Sequence, residues 1–400
     1  MKYIIIVPDG MADLPIEEIG NRTPLEVAHR SNMDWLAQHG STGLVQTIPD
    51  GMSPGSDIGN IALLGYDPRV CHTGRAPLEA ANQNITLKED EIIFRCNFVT
   101  IVDDKMVDYS AGHIPTSEAS VLIETLNKEI RDERVKFYTG KSYRHLLLLK
   151  VSHPQDYMKI TTTPPHDIAG QEIKSYLPKG KDTVVLLDLI EKSRAILENH
   201  NVNQVRLDLK ENPANSIWLW GQGLKPQLPA FKEKFGLKGG IISAVDLVNG
   251  IGKLAGLEII DVPGATGYYD TNYRGKAEYA LKALQKNDFV YIHIEAPDEA
   301  GHNGDLKNKI EAIEKIDREI IGPILNHFRD DPNVRILVLP DHPTPVKLRR
   351  HTSDPVGYVM SGKGIPTDGS LEYTETSTKN QGLKFKSGEE LIKFFIKENL

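Results

Sequence analysis

Carboxylates and imidazoles recur together in the last third of the 400-residue sequence. Asp298 precedes His302 by four residues. Asp341 directly precedes His342, and His351 follows nine positions further on. Carboxylate and imidazole ligands without a thiolate suit zinc or manganese. An isolated histidine is usually structural, but three such motifs behind strand-like runs favour a divalent-metal site.

A serine that could act as a nucleophile lies near the start of the chain. Ser56 follows the turn-forming pair Pro54-Gly55, and apolar residues at helical spacing come after it, which predicts a helix N-terminus at or near Ser56. Free N–H groups at such an end stabilise phosphate, and a metal could activate the weakly nucleophilic hydroxyl. The alternative interpretation is that Ser56 only caps the helix. Asp9 and Asp50 each lie in a Pro-Asp-Gly-Met sequence, so either could be the accompanying carboxylate.

Short apolar runs precede these carboxylates. Residues 3–7, 289–294 and 334–339 are apolar and bounded by Pro, Gly or Asp, which is typical of interior strands in a mostly parallel sheet. Between them, 308–328 and 275–284 carry apolar residues at helical spacing. Alternating strands and helices predict an α/β fold, in which sites form beyond the carboxyl ends of the strands.

The middle of the chain differs from the flanking segments in its pattern of predicted elements. Strand-like and helix-like runs mix there: 92–102, 117–131, 145–151 and 183–187. Because the strand-end carboxylates lie on both sides of this stretch, we predict a smaller α+β domain, residues 81–235, inserted into another domain. The surrounding catalytic domain would be discontinuous and consist of residues 1–80 and 236–400.

Composition narrows the class of protein. Apolar residues make up 40% and charged residues 26%, as in ordinary globular proteins. A net charge of -8 without a basic block argues against nucleic-acid binding. No apolar run approaches the roughly 18 residues of a membrane span, and the N-terminal run is too short for a signal peptide. With only Cys71 and Cys96 as thiols, the sequence fits a reducing compartment, and we expect a cytoplasmic protein.

Taken in order, these motifs resemble the alkaline phosphatase superfamily and, more closely, the archaeal-type, cofactor-independent phosphoglycerate mutases. The resemblance spans essentially the whole chain. The segments that carry it are 9–10, 54–57, 64–68, 73–75, 264–267, 298–302, 341–342 and 351–355. Each motif is weak alone, whereas the ordered set is specific.

The resemblance implies a glycolytic isomerase with an alkaline-phosphatase-like sheet, whose partner is a small phosphorylated or hydroxylated metabolite. It would interconvert 3-phosphoglycerate and 2-phosphoglycerate through a phosphoserine on Ser56, without 2,3-bisphosphoglycerate. Two divalent ions would bind, typically manganese, with magnesium, zinc or cobalt as alternatives. The implied ligand sets are Asp298, His302 and His351 for one ion and Asp9, Ser56, Asp341 and His342 for the other. Asp9 is preferred to Asp50 because the family places its metal-binding aspartate after the first strand.

The inserted domain would bind the rest of the substrate. Arginine holds carboxylate or phosphate through two parallel hydrogen bonds, and histidine or aspartate can manage hydroxyl protons. The candidate residues are Arg75, Arg95, Arg144, His145, His166 and Asp167. For each of them, a surface charge or a local cap is the alternative interpretation.

Departures from the usual mutase pattern concern mainly the inserted domain. Residues 107–113 stand where archaeal members commonly carry a basic motif, and Pro343 stands where a serine is usual. Residues 142–145 and 215–220 resemble a bacterial sub-branch proposed to contain homoserine kinases. A homoserine kinase-like phosphotransferase and a metal-dependent phosphomonoesterase therefore stay open beside the mutase. A non-enzymatic binding protein would not need a serine among seven metal ligands.

Overall fold

Two units of the chain fold around separate cores. The computed structural model describes residues 1–329, 331–380 and 382–396. One unit comprises Met1–His72 with Gln227–Leu400, and the other is Thr73–Pro226. The insert predicted from the sequence begins eight residues later than the second unit and ends nine residues later. The division of catalytic and substrate-binding roles between the two parts stays a prediction.

The helices and strands of the described residues are given in chain order. The strands are β1 (Lys2–Pro8), β2 (Gly40–Val45), β3 (Glu91–Val102), β4 (Lys105–Asp108), β5 (Val135–Lys141), β6 (Arg144–Lys150), β7 (Ser216–Gly223), β8 (Gly239–Ile242), β9 (Glu258–Ile259), β10 (Phe289–Ile294), β11 (Val334–Val338), β12 (Val356–Gly362) and β13 (Leu383–Phe385). The α-helices are α1 (Pro24–Val27), α2 (Ser31–Gln38), α3 (Ser56–Leu63), α4 (Pro68–Cys71), α5 (Arg75–Asn82), α6 (Thr116–Glu129), α7 (Pro154–Tyr157), α8 (Val184–Leu197), α9 (Asn201–Asp208), α10 (Phe231–Phe235), α11 (Asp246–Leu254), α12 (Tyr273–Leu284), α13 (Ala296–Asn303), α14 (Leu306–Lys315), α15 (Gly322–Phe328), α16 (Glu375–Asn380) and α17 (Gly388–Ile396). Short 3-10 helices span Glu17–Ile19, Pro165–Ile168 and Ile173–Ser175, and a π-helical turn spans Ile316–Ile321.

The first unit is built on an eight-stranded sheet in the order β13-β2-β12-β11-β1-β10-β8-β9. Strands β11, β1, β10 and β8 are parallel neighbours, whereas β12 is antiparallel to both β11 and β2. Every residue of β10 is buried, as is typical of a central strand covered on both faces. The predicted α/β fold with a mostly parallel sheet is confirmed.

The parallel strands bring three acidic segments to one edge of this sheet. Asp9 follows β1, Glu295 follows β10, and Asp341 lies three residues beyond the end of β11. Because β1 pairs in parallel with both β10 and β11, the carboxyl ends of the three strands are neighbours. The fold therefore places these carboxylates together.

The helical stretch predicted over 308–328 is divided into α14, the π-helical turn and α15. The apolar stripe is as predicted, with Ile313, Ile316 and Ile320 in the core. Pro323 in the first turn of α15 has no N–H to donate, and its ring crowds the preceding turn, which accounts for the local break in α-helical hydrogen bonding.

The second unit is an antiparallel sheet with helices packed on it. The strand order is β4-β3-β6-β5, and β7 pairs with the other side of β3. The strand predicted at 183–187 is wrong, because Thr183 is the N-cap of α8 and the other four residues form its first turn. Leu186, Leu189 and Ile190 face the core at helical spacing. Across both units, no helix among the described residues is long and apolar enough to cross a membrane.

Candidate active site

Ser56 lies at the amino end of α3, beside the residues that follow β1 and β11. Its Oγ is 3.2 Å from Asp9 Oδ2 and 3.2 Å from His342 Nε2. The N-cap of α3 is Gly55, which has no side chain to cap the helix, so the interpretation of Ser56 as the cap is wrong. The Ser56 hydroxyl instead joins a buried carboxylate and a buried imidazole. Asp50, the alternative to Asp9, lines a separate small cavity with residues of the α4 and α17 segments.

Asp341 is held from two elements at once. Asn60 Nδ2 donates to Asp341 Oδ2 at 2.8 Å, and Tyr291 Oη donates to Asn60 Oδ1 at 2.6 Å. A Cβ on Gly59 would lie 2.7 Å from the Asp341 carbonyl oxygen, so only glycine lets α3 approach this loop. His342 Nε2 is 3.5 Å from Asp341 Oδ2 and 3.5 Å from an oxygen of Asp9.

Asp298, His302 and His351 form a second group. Asp298 lies in the first turn of α13, and His302 follows one turn later on the same face. His302 Nε2 is 3.3 Å from Asp298 Oδ2, and His351 Nε2 is 3.4 Å from Asp298 Oδ1. The two imidazole Nε2 atoms are 2.8 Å apart. Donor atoms bound to one ion at about 2.1 Å are separated by roughly 3 Å, so this spacing suits a shared metal.

The two groups are adjacent. The rings of His342 and His351 have centroids 4.1 Å apart, and Thr344 Oγ1 donates to Asp298 Oδ1 while lying 3.3 Å from His342 Nδ1. The structure thus brings together the seven residues that the family resemblance implies as ligands of two ions: Asp9, Ser56, Asp298, His302, Asp341, His342 and His351.

Buried carboxylates that lie close to one another are the dominant electrostatic feature of this centre. Burial, followed by the neighbouring carboxylates, raises the pKa of Asp9 well above its usual value. Burial also raises the pKa of Glu295 to about 8. Burial alone would raise the pKa of Asp298 too, but hydrogen bonds from His302 and His351 bring it well below the usual value. Asp9 Oδ1 and Glu295 Oε2 are buried without a hydrogen-bond partner in the part of the chain that the structure describes.

Sequence reasoning missed two residues at this centre. His293 extends from β10, with Nε2 3.0 Å from Asp9 Oδ2. Two further groups of three side chains each have ligand atoms within 4.8 Å of one another. One group is Asp9, His293 and Asp341, and the other is Asp9, Glu295 and Asp298. The available signal was position, since Glu295 follows β10 just as Asp9 follows β1.

Within the second unit, Arg95 is held in a polar and aromatic cluster. Its Nη2 is 2.7 Å from Glu79 Oε1, and its guanidinium carbon lies 4.2 Å from the ring centroid of Trp220. His166 packs edge-on against the same Trp220 ring, at 5.5 Å between centroids, and Asp167 lies 3.7 Å from His166. Arg95 and His166 thus share one tryptophan.

The other predicted substrate-binding residues have different surroundings. Arg75 is the first residue of α5, and the exposed Arg144 lies near the ring of Tyr143. His145 is only 1% exposed, packs on Phe98, and accepts a hydrogen bond at Nδ1 from a backbone N–H. Burial lowers the pKa of His145 to about 3. Arg144 is the exposed first residue of β6, whereas His145 is buried on the opposite face of the strand, which does not support substrate contact by His145.

Comparison with known proteins shows the family. A family model described as 2,3-bisphosphoglycerate-independent phosphoglycerate mutase matches residues 37–203. A curated protein of that name from Methanothrix thermoacetophila is 49% identical over 99% of this chain and 100% of its own length. The chain belongs to the 2,3-bisphosphoglycerate-independent phosphoglycerate mutase family. It is therefore an enzyme of a mutase family, as the sequence motifs predicted.

Solved structures agree with this family. The cofactor-independent phosphoglycerate mutase from Thermoplasma acidophilum is 27% identical, covers 99% of both chains and has a TM-score of 0.68. A Pyrococcus horikoshii protein is 29% identical, covers 100% of this chain and 98% of its own, and has a TM-score of 0.84. The fold of the family thus extends over the whole chain.

Proposed function

We propose that this enzyme interconverts 3-phosphoglycerate and 2-phosphoglycerate through a phosphoserine formed on Ser56, without 2,3-bisphosphoglycerate. The observation that carries the proposal is the position of the Ser56 hydroxyl, 3.2 Å from both Asp9 Oδ2 and His342 Nε2 at the first turn of α3. Relatives near half identity carry the mutase name over their full length, which favours the mutase over a homoserine kinase or a phosphomonoesterase.

The donor set at the centre fits two divalent ions. We propose that Asp298, His302 and His351 hold one ion. The other would be held by Asp9, Ser56, Asp341 and His342. Carboxylate, imidazole and hydroxyl donors without thiolate suit manganese, and equally magnesium, zinc or cobalt. When bound, the ions neutralise charge on the phosphoryl oxygens and lower the pKa of the serine hydroxyl.

The chain's own groups orient the transfer. Ser56 Oγ forms a bond to phosphorus as the bond to the 3-hydroxyl oxygen breaks, and the 2-hydroxyl oxygen later takes the phosphoryl group back from Ser56. The proton that Ser56 gives up goes to the 3-oxygen of glycerate as that oxygen leaves phosphorus. The proton of the 2-hydroxyl later returns to Ser56, so the reaction is balanced. The amino end of α3 offers N–H groups to the phosphoryl oxygens.

Residues of the second unit would bind the glycerate part. We propose Arg75, Arg95, Arg144, His166 and Asp167 for this role, and we leave out the buried His145. Arg95 supports the idea best, because Glu79 and Trp220 hold its guanidinium in one orientation.

Cys71 and Cys96 are buried free thiols, which accords with the predicted cytoplasmic location.

The proposal is tested by incubating manganese-loaded enzyme with 3-phosphoglycerate and following the products by ³¹P NMR. We expect 2-phosphoglycerate to appear without added 2,3-bisphosphoglycerate, and chelation of the metal to stop the reaction. Release of free phosphate alone would indicate a phosphomonoesterase. Formation of O-phosphohomoserine from homoserine and ATP, with 3-phosphoglycerate unchanged, would indicate a homoserine kinase and refute the mutase.

A further inference from the structure

Thr344 contacts a member of each proposed metal-binding group. It lies in the loop after β11 and is fully buried. Its hydroxyl donates to Asp298 Oδ1, and the same oxygen is 3.3 Å from His342 Nδ1. Asp298 belongs to one ligand group and His342 to the other, so a single hydroxyl lies between the two groups.

The direction of these hydrogen bonds follows from the chemistry of the partners. An ionised carboxylate only accepts, so the Thr344 hydroxyl proton is given to Asp298. The remaining lone pairs of Thr344 Oγ1 can then only accept, which requires a proton on His342 Nδ1. A neutral imidazole carries one N–H, so Nε2 of His342 has a free lone pair. That nitrogen faces Ser56 Oγ at 3.2 Å and Asp9 Oδ1 at 3.5 Å.

Neighbouring residues hold the backbone of Thr344 in place. The fully buried Lys309 Nζ donates to the Thr344 carbonyl oxygen at 2.8 Å and to Asp13 Oδ2 at 2.8 Å. A Cβ on Gly301 would lie 2.2 Å from the same carbonyl oxygen, so α13 packs directly on this loop. A Cβ on Gly10, whose φ is +60°, would lie 2.6 Å from Thr344 Oγ1. The loop cannot turn the hydroxyl away without displacing these neighbours.

We propose that Thr344 is a positioning residue that couples the two metal sites, by orienting the Asp298 carboxylate and by holding His342 in the tautomer whose Nε2 can bind an ion. The inference rests on the proposed metal-binding role of these residues. Such supporting hydrogen bonds commonly change metal affinity about 10- to 100-fold. Because one hydroxyl contacts both ligand groups, its loss should weaken the binding of both ions together.

The test is a titration of purified full-length protein with Mn²⁺, in which EPR measures the free ion. Thr344→Val keeps the shape of the side chain and removes the hydroxyl. We expect both binding steps to weaken about 10- to 100-fold. Thr344→Ser restores the hydroxyl and should stay within about threefold of wild type. The matched control is Thr47→Val, since Thr47 is also fully buried but its hydroxyl has no partner among the described residues, and it should bind as wild type.

Three results would overturn the inference. Wild-type affinity in Thr344→Val would show that the hydroxyl does not matter, and weakening of one step alone would show that it does not couple the sites. Equal weakening in Thr344→Ser, with a folded circular dichroism spectrum, would indicate a packing role. The proposed function is tested independently of Thr344, by whether the wild-type enzyme forms 2-phosphoglycerate.

Discussion

Replacing Ser56 with alanine should abolish transfer while leaving the fold intact. The hydroxyl has one proton to donate, either to Asp9 Oδ2 or to His342 Nε2, each at 3.2 Å, and it does not cap α3, whose N-cap is Gly55. Loss of such bonds costs about 1 kcal/mol, well below the roughly 5–15 kcal/mol that stabilises a folded protein. Removing a covalent nucleophile, in contrast, lowers turnover on the order of 10⁴-fold or more. We therefore expect a folded and inactive variant.

The assay measures conversion of 3-phosphoglycerate by manganese-loaded Ser56→Ala, with metal content determined on the same sample. Metal content separates loss of the nucleophile from loss of an ion, because Ser56 is also a proposed ligand. The matched control is Ser53→Ala, which removes an exposed serine from the same segment and should keep wild-type turnover. If Ser56→Ala kept even half of its activity, or if Ser53→Ala were the inactive variant, the assignment of the nucleophile would be wrong.

Three further predictions concern supporting residues. Lys309→Met leaves the buried Asp13 carboxylate without its ion-pair partner, so urea unfolding should show a loss of about 3–5 kcal/mol, and a change below about 1 kcal/mol would contradict this. Arg95→Lys loses the planar contacts to Glu79 and Trp220, and steady-state kinetics should show a higher KM for 3-phosphoglycerate with a smaller change in kcat; an unchanged KM would remove Arg95 from the substrate set. Burial raises the pKa of Glu375 from 4.5 to about 7, so the folded state holds that proton more tightly. The stabilisation that Glu375 contributes is complete below pH 4.5 and is lost as pH rises through about 7. Glu375→Gln should flatten this decline when the free energy of unfolding is measured against pH. An unaltered pH profile would contradict the raised pKa of Glu375.

The parallel core could be predicted because its signal is local. The apolar run predicted at 289–294 coincides with β10, and the run at 3–7 lies one residue inside each end of β1. Buried parallel strands need apolar residues on both faces, so such runs stop sharply where polar residues begin. The segment at 183–187 misled the prediction because Val184 and Val185 favour strands, whereas the helical spacing of α8 becomes visible only over its 14 residues.

The supporting contacts of the site could not be predicted, because they join distant parts of the chain. The bond from Thr344 to Asp298 spans 46 residues, and the bond from Tyr291 to Asn60 spans 231. No spacing rule links such pairs. The orientation of His145 depends on the register of β6 against β3, where it lies opposite Cys96, and a single sequence does not specify that register.

The central claim is that the phosphoryl group passes through Ser56, and trapping that intermediate tests it most directly. Manganese-loaded enzyme would be mixed with ³²P-labelled 3-phosphoglycerate, quenched in acid, digested and sequenced by mass spectrometry. We predict label on the peptide that contains Ser56, at that hydroxyl. An excess of unlabelled 3-phosphoglycerate, added as a chase before the quench, should remove this label from the peptide, because the bound glycerate takes up the labelled phosphoryl group and leaves as 2-phosphoglycerate. Enzyme that forms 2-phosphoglycerate while its label lies on Ser53, on a histidine or on no peptide would contradict the account.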